Sequence, residues 1–346
     1  GGGKGFLLRQ STLPFTRRLH AMTKVRRAAF DIGSGATKIV IADVDLGKKQ
    51  VHEALLQTEV PVPFALDWKK NGDNCLSEDV QALGLKVLKQ FLETCDELGV
   101  ASDARCAVAT EVFRKAENGK DYLTKVQEQL GLSVEVVSQT IEAELGYLTA
   151  VALQDNCCAE TICWDSGGAS FQITRKAPGS DTLEQYVGAF GTGVVTEMLV
   201  NQVQRRDFSS VPTANPVEAS QAKDLVKLLK QELPSPPSWL RDASVTAIGG
   251  PNAMFCVASE VLQSNTYDAA AVWRGMDTVT GLSDLEMSTM SCCSGALREP
   301  PGLIVSKLCL LAAVIEHCNI RQVHFVPATG SCQGLLISEE HFRPRA

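Results

Sequence analysis

Two short glycine-rich segments of the chain have residue types that suit the binding of phosphate. One is Asp31-Ile-Gly-Ser-Gly-Ala-Thr37, and the other is Asp165-Ser-Gly-Gly-Ala-Ser170. Their glycines allow the backbone to take positive φ and to approach a ligand closely, so that successive N–H groups can converge on one anion. The aspartate that opens each segment can hold a divalent metal, directly or through water. The pair therefore predicts a site that clamps a phosphate chain between two loops.

The strands around these segments indicate that one motif is used twice. Residues 30–39 and 164–173 align in the same order of strand, aspartate, glycine turn and second strand, and one domain length separates the two copies. Turn residues and apolar periodicity predict, in the first half, strands at 28–32, 38–42, 51–60, 104–109 and 133–138 and helices at 78–92 and 120–130. The second half opens with similar strands at 161–165, 170–175 and 183–190. An internal duplication with two facing lobes is the simplest architecture.

The remaining sequence predicts the rest of the second lobe and its boundaries. Strands are expected at 244–248 and 322–326, and helices at 217–233 and 304–318. The prolines that surround the first of these helices predict a surface insertion. We expect a basic leader at 1–24, a first lobe at 25–139 that the C-terminal segment 333–346 completes, and a second lobe at 140–332 with a proline-rich helical insertion near 207–240.

Composition and cysteine spacing bound the class of protein. The chain has 346 residues, enough for two domains, and its 45% hydrophobic and 21% charged residues are typical of globular proteins. We expect no apolar run of the roughly 18 residues that span a membrane. The 12 cysteines contain no pair at two-residue spacing. This pattern predicts reduced, packed thiols in an intracellular protein, without a zinc or redox motif.

The charge distribution narrows how an anion would be recognised. The net charge is −7, yet the first thirty residues contain seven Lys or Arg and no acidic residue. The acidic remainder argues against a nucleic-acid surface, so a polyanion must be bound by local amides, a metal and a few basic side chains. The leader suits an organelle transit peptide, or sequence upstream of a start at Met22. We expect a cytoplasmic protein, with organelle targeting as the alternative.

Further motifs follow the glycine-rich segments in a familiar order. They are Ala109-Thr-Glu-Val-Phe-Arg114-Lys-Ala-Glu-Asn118, Glu142-Ala-Glu-Leu145 after a strand, Gly191 to Glu197, Gly249-Gly250, and Gly330 to Leu335. This order resembles the exopolyphosphatase and guanosine pentaphosphate phosphohydrolase (Ppx/GppA) family in its short two-domain form. The family is part of the superfamily of actin, hexokinase and heat-shock ATPases. The resemblance runs from about Val25 to Ser338.

The resemblance implies a fold and a set of site residues. The fold is α/β, with two duplicated ribonuclease H-like lobes (βββαβα) and a cleft between them. Glu142 is expected to act as the base toward the attacking water and Arg114 to bind phosphate. Asp31 and Asp165 are expected to hold Mg²⁺, with Mn²⁺ as an alternative. Phosphate is expected to bind at Gly33, Ser34, Gly35, Thr37, Gly167, Gly168, Ala169, Ser170, Gly249 and Gly250.

Local helix signals agree with the role of the glutamate. Thr140 is a good N-cap residue, which would place Glu142 in the first turn of a helix. The helix dipole favours an ionised carboxylate at that end, as a general base requires. We therefore expect Glu142 to be charged at neutral pH.

Several positions depart from the family pattern and keep alternatives open. Gly35-Ala36 stands where the family has Asn-Ser, Gln172 replaces an acid, Val195 replaces an arginine, and Cys332-Gln333 replaces Arg-Glu. The leading hypothesis is a phosphohydrolase that releases terminal phosphate from polyphosphate or guanosine pentaphosphate. The alternatives are a catalytically weak sensor of polyphosphate or alarmone, and an ATP-dependent small-molecule kinase or ATPase. We expect no membrane partner, and a homodimer stays open.

Overall fold

The computed structural model describes residues 24–154, 161–168, 170–211, 213–294 and 299–342. Nearly all of the expected basic leader, the predicted phosphate ligand Ala169 and the last four residues lie outside these ranges.

The first sheet has five strands in the order β3-β2-β1-β4-β5. They are β1 Lys24–Ile32, β2 Ala36–Asp45, β3 Gln50–Pro61, β4 Arg105–Ala109 and β5 Val134–Val136. The first three strands are antiparallel, whereas β4 and β5 run parallel to β1. Successive apolar residues of β1 and β2 point to opposite faces of the sheet. Both faces are therefore apolar, and helices cover both of them.

The helices of this region begin and end at the signals that the sequence contains. They are α1 Phe64–Lys70, α2 Glu78–Glu97, α3 Glu111–Lys115, α4 Gly119–Leu130 and α5 Gln139–Ala152. Ser77 caps α2 by accepting a hydrogen bond from the N–H of Val80, and Gly131 ends α4 at φ 68°. Phe64, Phe113 and Tyr122 pack together beneath the sheet, with ring centroids 5.0–5.8 Å apart.

The second sheet has six strands in the order β10-β11-β9-β6-β7-β8. They are β6 Ile162–Ser166, β7 Phe171–Lys176, β8 Leu183–Gly188, β9 Ser244–Gly249, β10 Thr266–Tyr267 and β11 Gln322–Pro327. The helices are α6 Thr192–Met198, α7 Ala219–Glu232, α8 Met254–Leu262, α9 Ala269–Val279, α10 Asp284–Met287, α11 Ile304–Cys318 and α12 Cys332–Ile337. The predicted duplication is confirmed, because β6-β7-β8 with β9 and β11 repeat the order of β1-β2-β3 with β4 and β5.

One expectation about the second lobe is wrong, and another stays a prediction. Helix α7 packs Leu225, Val226 and Leu229 into the largest buried core and exposes its other face, and the insertion near 207–240 stays a prediction. The stretch Pro301–Cys318 is long and apolar enough to cross a membrane, although no such run was expected. It is the central helix of the second lobe, and 72% of this stretch is buried inside the protein.

The C-terminal helix connects the two halves of the chain. Helix α12 packs against β1, β2 and α5, and the N–H of Gly334 donates to Thr149 Oγ1 at 2.9 Å. A Cβ at Gly334 would lie 2.2 Å from the carbonyl oxygen of Leu145, so only glycine allows this approach. Arg27 Nη1 of β1 donates to the carbonyl oxygen of Leu336 at 2.9 Å. The exact lobe boundaries stay a prediction.

Candidate active site

Asp31 lies at the end of β1 and is held in a fixed position. Its side chain is buried, and its Oδ2 accepts a hydrogen bond from the N–H of Ser331 at 2.9 Å. Lys38 lies directly opposite on β2, with its Nζ 4.0 Å from the same oxygen. Gly330, at φ 56°, makes this arrangement possible, because a Cβ there would lie 2.1 Å from Asp31 Oδ2.

Asp165 has the corresponding position on β6 of the second lobe. Gln172 lies opposite on β7, and its Nε2 donates to Asp165 Oδ2 at 3.5 Å. Burial raises the pKa of Asp165, and the negative charge of Asp31 raises it further, whereas Lys38 opposes the shift. The two strand-end aspartates and Lys38 therefore form one electrostatic group that spans both lobes.

The two glycine-rich turns have matching hydrogen bonds but not the expected backbone angles. The N–H of Gly33 donates to the carbonyl oxygen of Ala36 at 3.0 Å, and the N–H of Gly167 donates to that of Ser170 at 2.9 Å. None of the four predicted turn glycines, at positions 33, 35, 167 and 168, has a positive φ. The glycines instead allow close approach: a Cβ at Gly33 would lie 3.1 Å from the carbonyl oxygen of Ala36.

The remaining predicted phosphate ligands differ in what they can offer. The amides of Gly33 and Gly167 close the turns, so neighbouring amides such as that of Ser34 are better placed to meet an anion. Thr37 is fully buried between its strand partners Ile32 and Val60, on the opposite side of β2 from Lys38, so the predicted phosphate contact of Thr37 is wrong. Gly249 is the last residue of β9, and a Cβ there would lie 2.3 Å from the Cβ of Ala253.

Glu142 and Arg114 form an ion pair at the start of α5. Arg114 Nη2 donates to Glu142 Oε2 at 3.2 Å, and Nη1 of the same guanidinium donates to the carbonyl oxygen of Val137. The N-cap is Ser138, not Thr140, and its Oγ accepts from the N–H of Ile141 at 3.3 Å. Glu142 nevertheless lies in the first helical turn, as expected.

Burial and three charged neighbours act on the pKa of Glu142 in addition to the helix dipole. Burial raises the pKa of Glu142; Arg114 opposes the shift, and Asp31 and Asp165 add to it. Since the two aspartates affect Glu142 from the ends of β1 and β6, the structure brings all four predicted chemical groups to one cleft. The effect of burial on the pKa of Glu142 therefore outweighs that of the Arg114 charge.

Two cleft residues were missed by the sequence analysis. The sequence pattern predicts Lys38 only as part of a strand, although the short turn of the hairpin places it opposite Asp31. Glu59 on β3 lies opposite Lys38, and its Oε2 would be 3.7 Å from a Cβ at Gly250 of the second lobe. This contact between β3 and the turn after β9 had no signal in the sequence.

The carboxylates of the cleft suit an Mg²⁺ ion that the protein and the phosphates of a substrate bind together. Within the described ranges, no group of three or more His, Cys, Asp or Glu residues is arranged as a closed metal cage. Mg²⁺ is usually bound by one or two carboxylates together with substrate phosphates, and Asp31 and Asp165 match that donor set. Their mutual repulsion, which contributes to the raised pKa of Asp165, also favours a cation between them.

Comparisons with known proteins agree with the sequence motifs. Residues 40–206 match the model of the Ppx/GppA phosphatase family. A crystal structure of the Aquifex aeolicus Ppx/GppA family member is similar at a TM-score of 0.71 and 21% identity, covering 91% of this chain and 97% of that one. An exopolyphosphatase from Cytophaga hutchinsonii has a TM-score of 0.60 and 16% identity, with 90% and 96% covered. At these identities the solved structures show a shared fold, that of two actin-like lobes.

Proposed function

We propose that this chain, whose residues 40–206 match the model of the Ppx/GppA phosphatase family, is a metal-dependent phosphohydrolase that releases terminal phosphate from phosphoanhydrides. One observation supports this proposal most directly. The carboxylate of Glu142 is paired with the guanidinium of Arg114, and both Asp31 and Asp165 act on its pKa. A positioned carboxylate and a nearby cation are the parts that in-line attack by water on phosphorus requires.

The proposed reaction assigns each group one task. Glu142 accepts a proton from water as the water oxygen attacks the terminal phosphorus, and the bond from phosphorus to the bridging oxygen breaks, leaving the shortened chain as the anion. Arg114 orients Glu142 and neutralises charge on the transferred group. Lys38 holds a phosphoryl oxygen between the two aspartates. A divalent ion at Asp31 and Asp165, when bound, would neutralise further charge on the phosphates.

Polyphosphate and guanosine pentaphosphate are the substrates we propose. The exopolyphosphatase from Cytophaga hutchinsonii, which shares the fold, supports the first. The family name covers both activities. The backbone turns at the ends of β1 and β6 contact phosphates of either substrate without reading a base.

The test is Glu142→Gln, which keeps the shape of the side chain and removes the base. Phosphate release would be measured from polyphosphate, guanosine pentaphosphate and nucleoside triphosphates, with Mg²⁺, with Mn²⁺ and with a chelator. We expect a loss of about 100-fold or more, within the usual range for a general base. Glu144→Gln, two residues along the same helix and exposed, is the matched control. Equal rates for wild type and Glu142→Gln would refute the assignment.

One observation favours a second candidate, a sensor that binds these phosphates without hydrolysing them. Gln172 offers an amide to Asp165 where the family pattern has an acid, so the second aspartate lacks an acidic neighbour on β7. Binding by calorimetry with no turnover under either metal would support the sensor over the enzyme.

A further inference from the structure

A row of charged side chains crosses the first three strands at the cleft. Asp31 of β1, Lys38 of β2 and Glu59 of β3 are direct cross-strand partners. Side chains at one level of neighbouring antiparallel strands point to the same face of a sheet. The ammonium group of Lys38 is therefore flanked by a carboxylate on each side.

Lys38 is also influenced by the second lobe. Burial alone would lower its pKa, but Asp31, the buried Cys332, Glu59 and Asp165 together raise it above the ordinary value. One quarter of the Lys38 side chain remains exposed to the cleft. A phosphate that approaches Lys38 is therefore attracted by one ammonium group and repelled by three carboxylates, those of Asp31, Glu59 and Asp165.

Glu59 differs from the two aspartates in its position. Asp31 and Asp165 end the strands that precede the glycine turns, where a metal is expected. Glu59 instead extends from β3 to the turn after β9, since its Oε2 would be 3.7 Å from a Cβ at Gly250. A phosphoryl group bound at that turn would lie against a carboxylate, and like charges at such a distance repel.

We propose that Glu59 restricts this cleft to short phosphate chains, of two or three phosphoryl groups accompanied by a divalent cation, and excludes long polyphosphate. The inference rests on the proposed phosphohydrolase function and names the substrate class of the same site. A short chain brings few charges past Glu59, and its cation offsets them. A long chain carries about one negative charge for each phosphoryl group. Where it passes the Gly250 turn, the negative charge of Glu59 repels it.

The test compares pyrophosphate, tripolyphosphate and long-chain polyphosphate, each with Mg²⁺, in wild type, Glu59→Gln and Glu53→Gln. Glu53 lies on the same strand, is exposed, and faces the Arg26 and Asp43 pair away from the cleft, so its variant is the matched charge control. We expect wild type to prefer tripolyphosphate in kcat/KM. Glu59→Gln should raise kcat/KM for the long chain about tenfold, with little change for pyrophosphate, because one repulsive charge is removed.

The outcomes separate this inference from the proposed function. A wild type that prefers long chains, or a Glu59→Gln variant that changes all substrates equally, would overturn it. Absence of hydrolysis in every variant would overturn the phosphohydrolase instead, and calorimetry with the same phosphates would then decide: a selective gain in long-chain affinity supports the role of Glu59, and equal affinities refute it. Glu59→Asp, which keeps the charge but withdraws it from Gly250, should give a partial gain and guards against misfolding of the first variant.

Discussion

Replacement of Lys307 by methionine should destabilise the protein severely, because this lysine belongs to a buried ion pair. Lys307 lies on α11 and pairs with Glu299; the two side chains are only 4% and 1% exposed. Lys307 Nζ also donates to the carbonyl oxygen of Asn252 at 2.7 Å. Asn252 follows the Gly249-Gly250 turn, so the pair anchors one wall of the cleft to the core of the second lobe.

The expected magnitude follows from the burial. Removal of one partner from a buried pair leaves an uncompensated charge and typically costs about 3–5 kcal/mol. That is a large fraction of the roughly 5–15 kcal/mol by which native proteins are stable. Burial lowers the pKa of Lys307 and Glu299 opposes the shift, as expected for a charge that depends on its partner.

The assay is unfolding in urea for Lys307→Met, Glu299→Gln and the double variant. Each single variant should lose about 3–5 kcal/mol, and the double variant should lose less than the sum by about 2–3 kcal/mol, since neither charge is then left alone. Lys227→Met, on the exposed side of α7, should change stability by less than about 0.5 kcal/mol. Single variants within about 1 kcal/mol of wild type, or additive losses, would refute the reasoning.

Two further predictions address the cleft and the junction of the helices. Arg114→Gln should move the acidic limb of kcat/KM to higher pH, since the base is active only when ionised and Arg114 lowers the pKa of Glu142; an unchanged or lowered limb in the pH profile would count against the ion pair. Gly334→Ala should cost about 2 kcal/mol or more in urea unfolding, because its Cβ would meet backbone atoms of α5, whereas Gly72→Ala, where a Cβ meets nothing within 4 Å, should be nearly neutral.

The elements of the fold that local chemistry specifies could be predicted from the sequence. The helices predicted at 78–92 and 120–130 are confirmed as α2, which Ser77 caps, and α4, which Gly131 ends, and the alternation of β1 and β2 around a short turn predicted a hairpin. The start of α5 was misplaced because Ser138 and Thr140 are both good N-cap residues. Only the hydrogen bond from Ile141 distinguishes them. Such signals depend on a few neighbouring residues, so they fix an element but not its last residue.

The position of α7 and the identity of Glu59 could not be predicted, because both depend on contacts between distant segments. The apolar stripe of α7 predicts a helix, but only the structure shows that Leu225, Val226 and Leu229 pack into the same core as α11. Glu59 becomes a cleft residue only when β3 pairs with β2 and the turn at Gly250 meets it from the other lobe. Long-range pairing of this kind has no local sequence signature.

The burial of Glu142 makes it better suited to the proposed reaction. A general base works best when its pKa approaches the working pH, whereas an ordinary glutamate is too weak a base at neutrality. Burial and the two aspartates raise the pKa of Glu142, and the ion pair with Arg114 opposes this rise and favours the ionised carboxylate. Arg114 would thus be a positioning residue as well as a phosphate ligand. We therefore expect the replacement of Arg114 to change the pH profile of activity while the protein stays folded. Loss of a merely structural ion pair would instead lower stability and leave the pH profile unchanged.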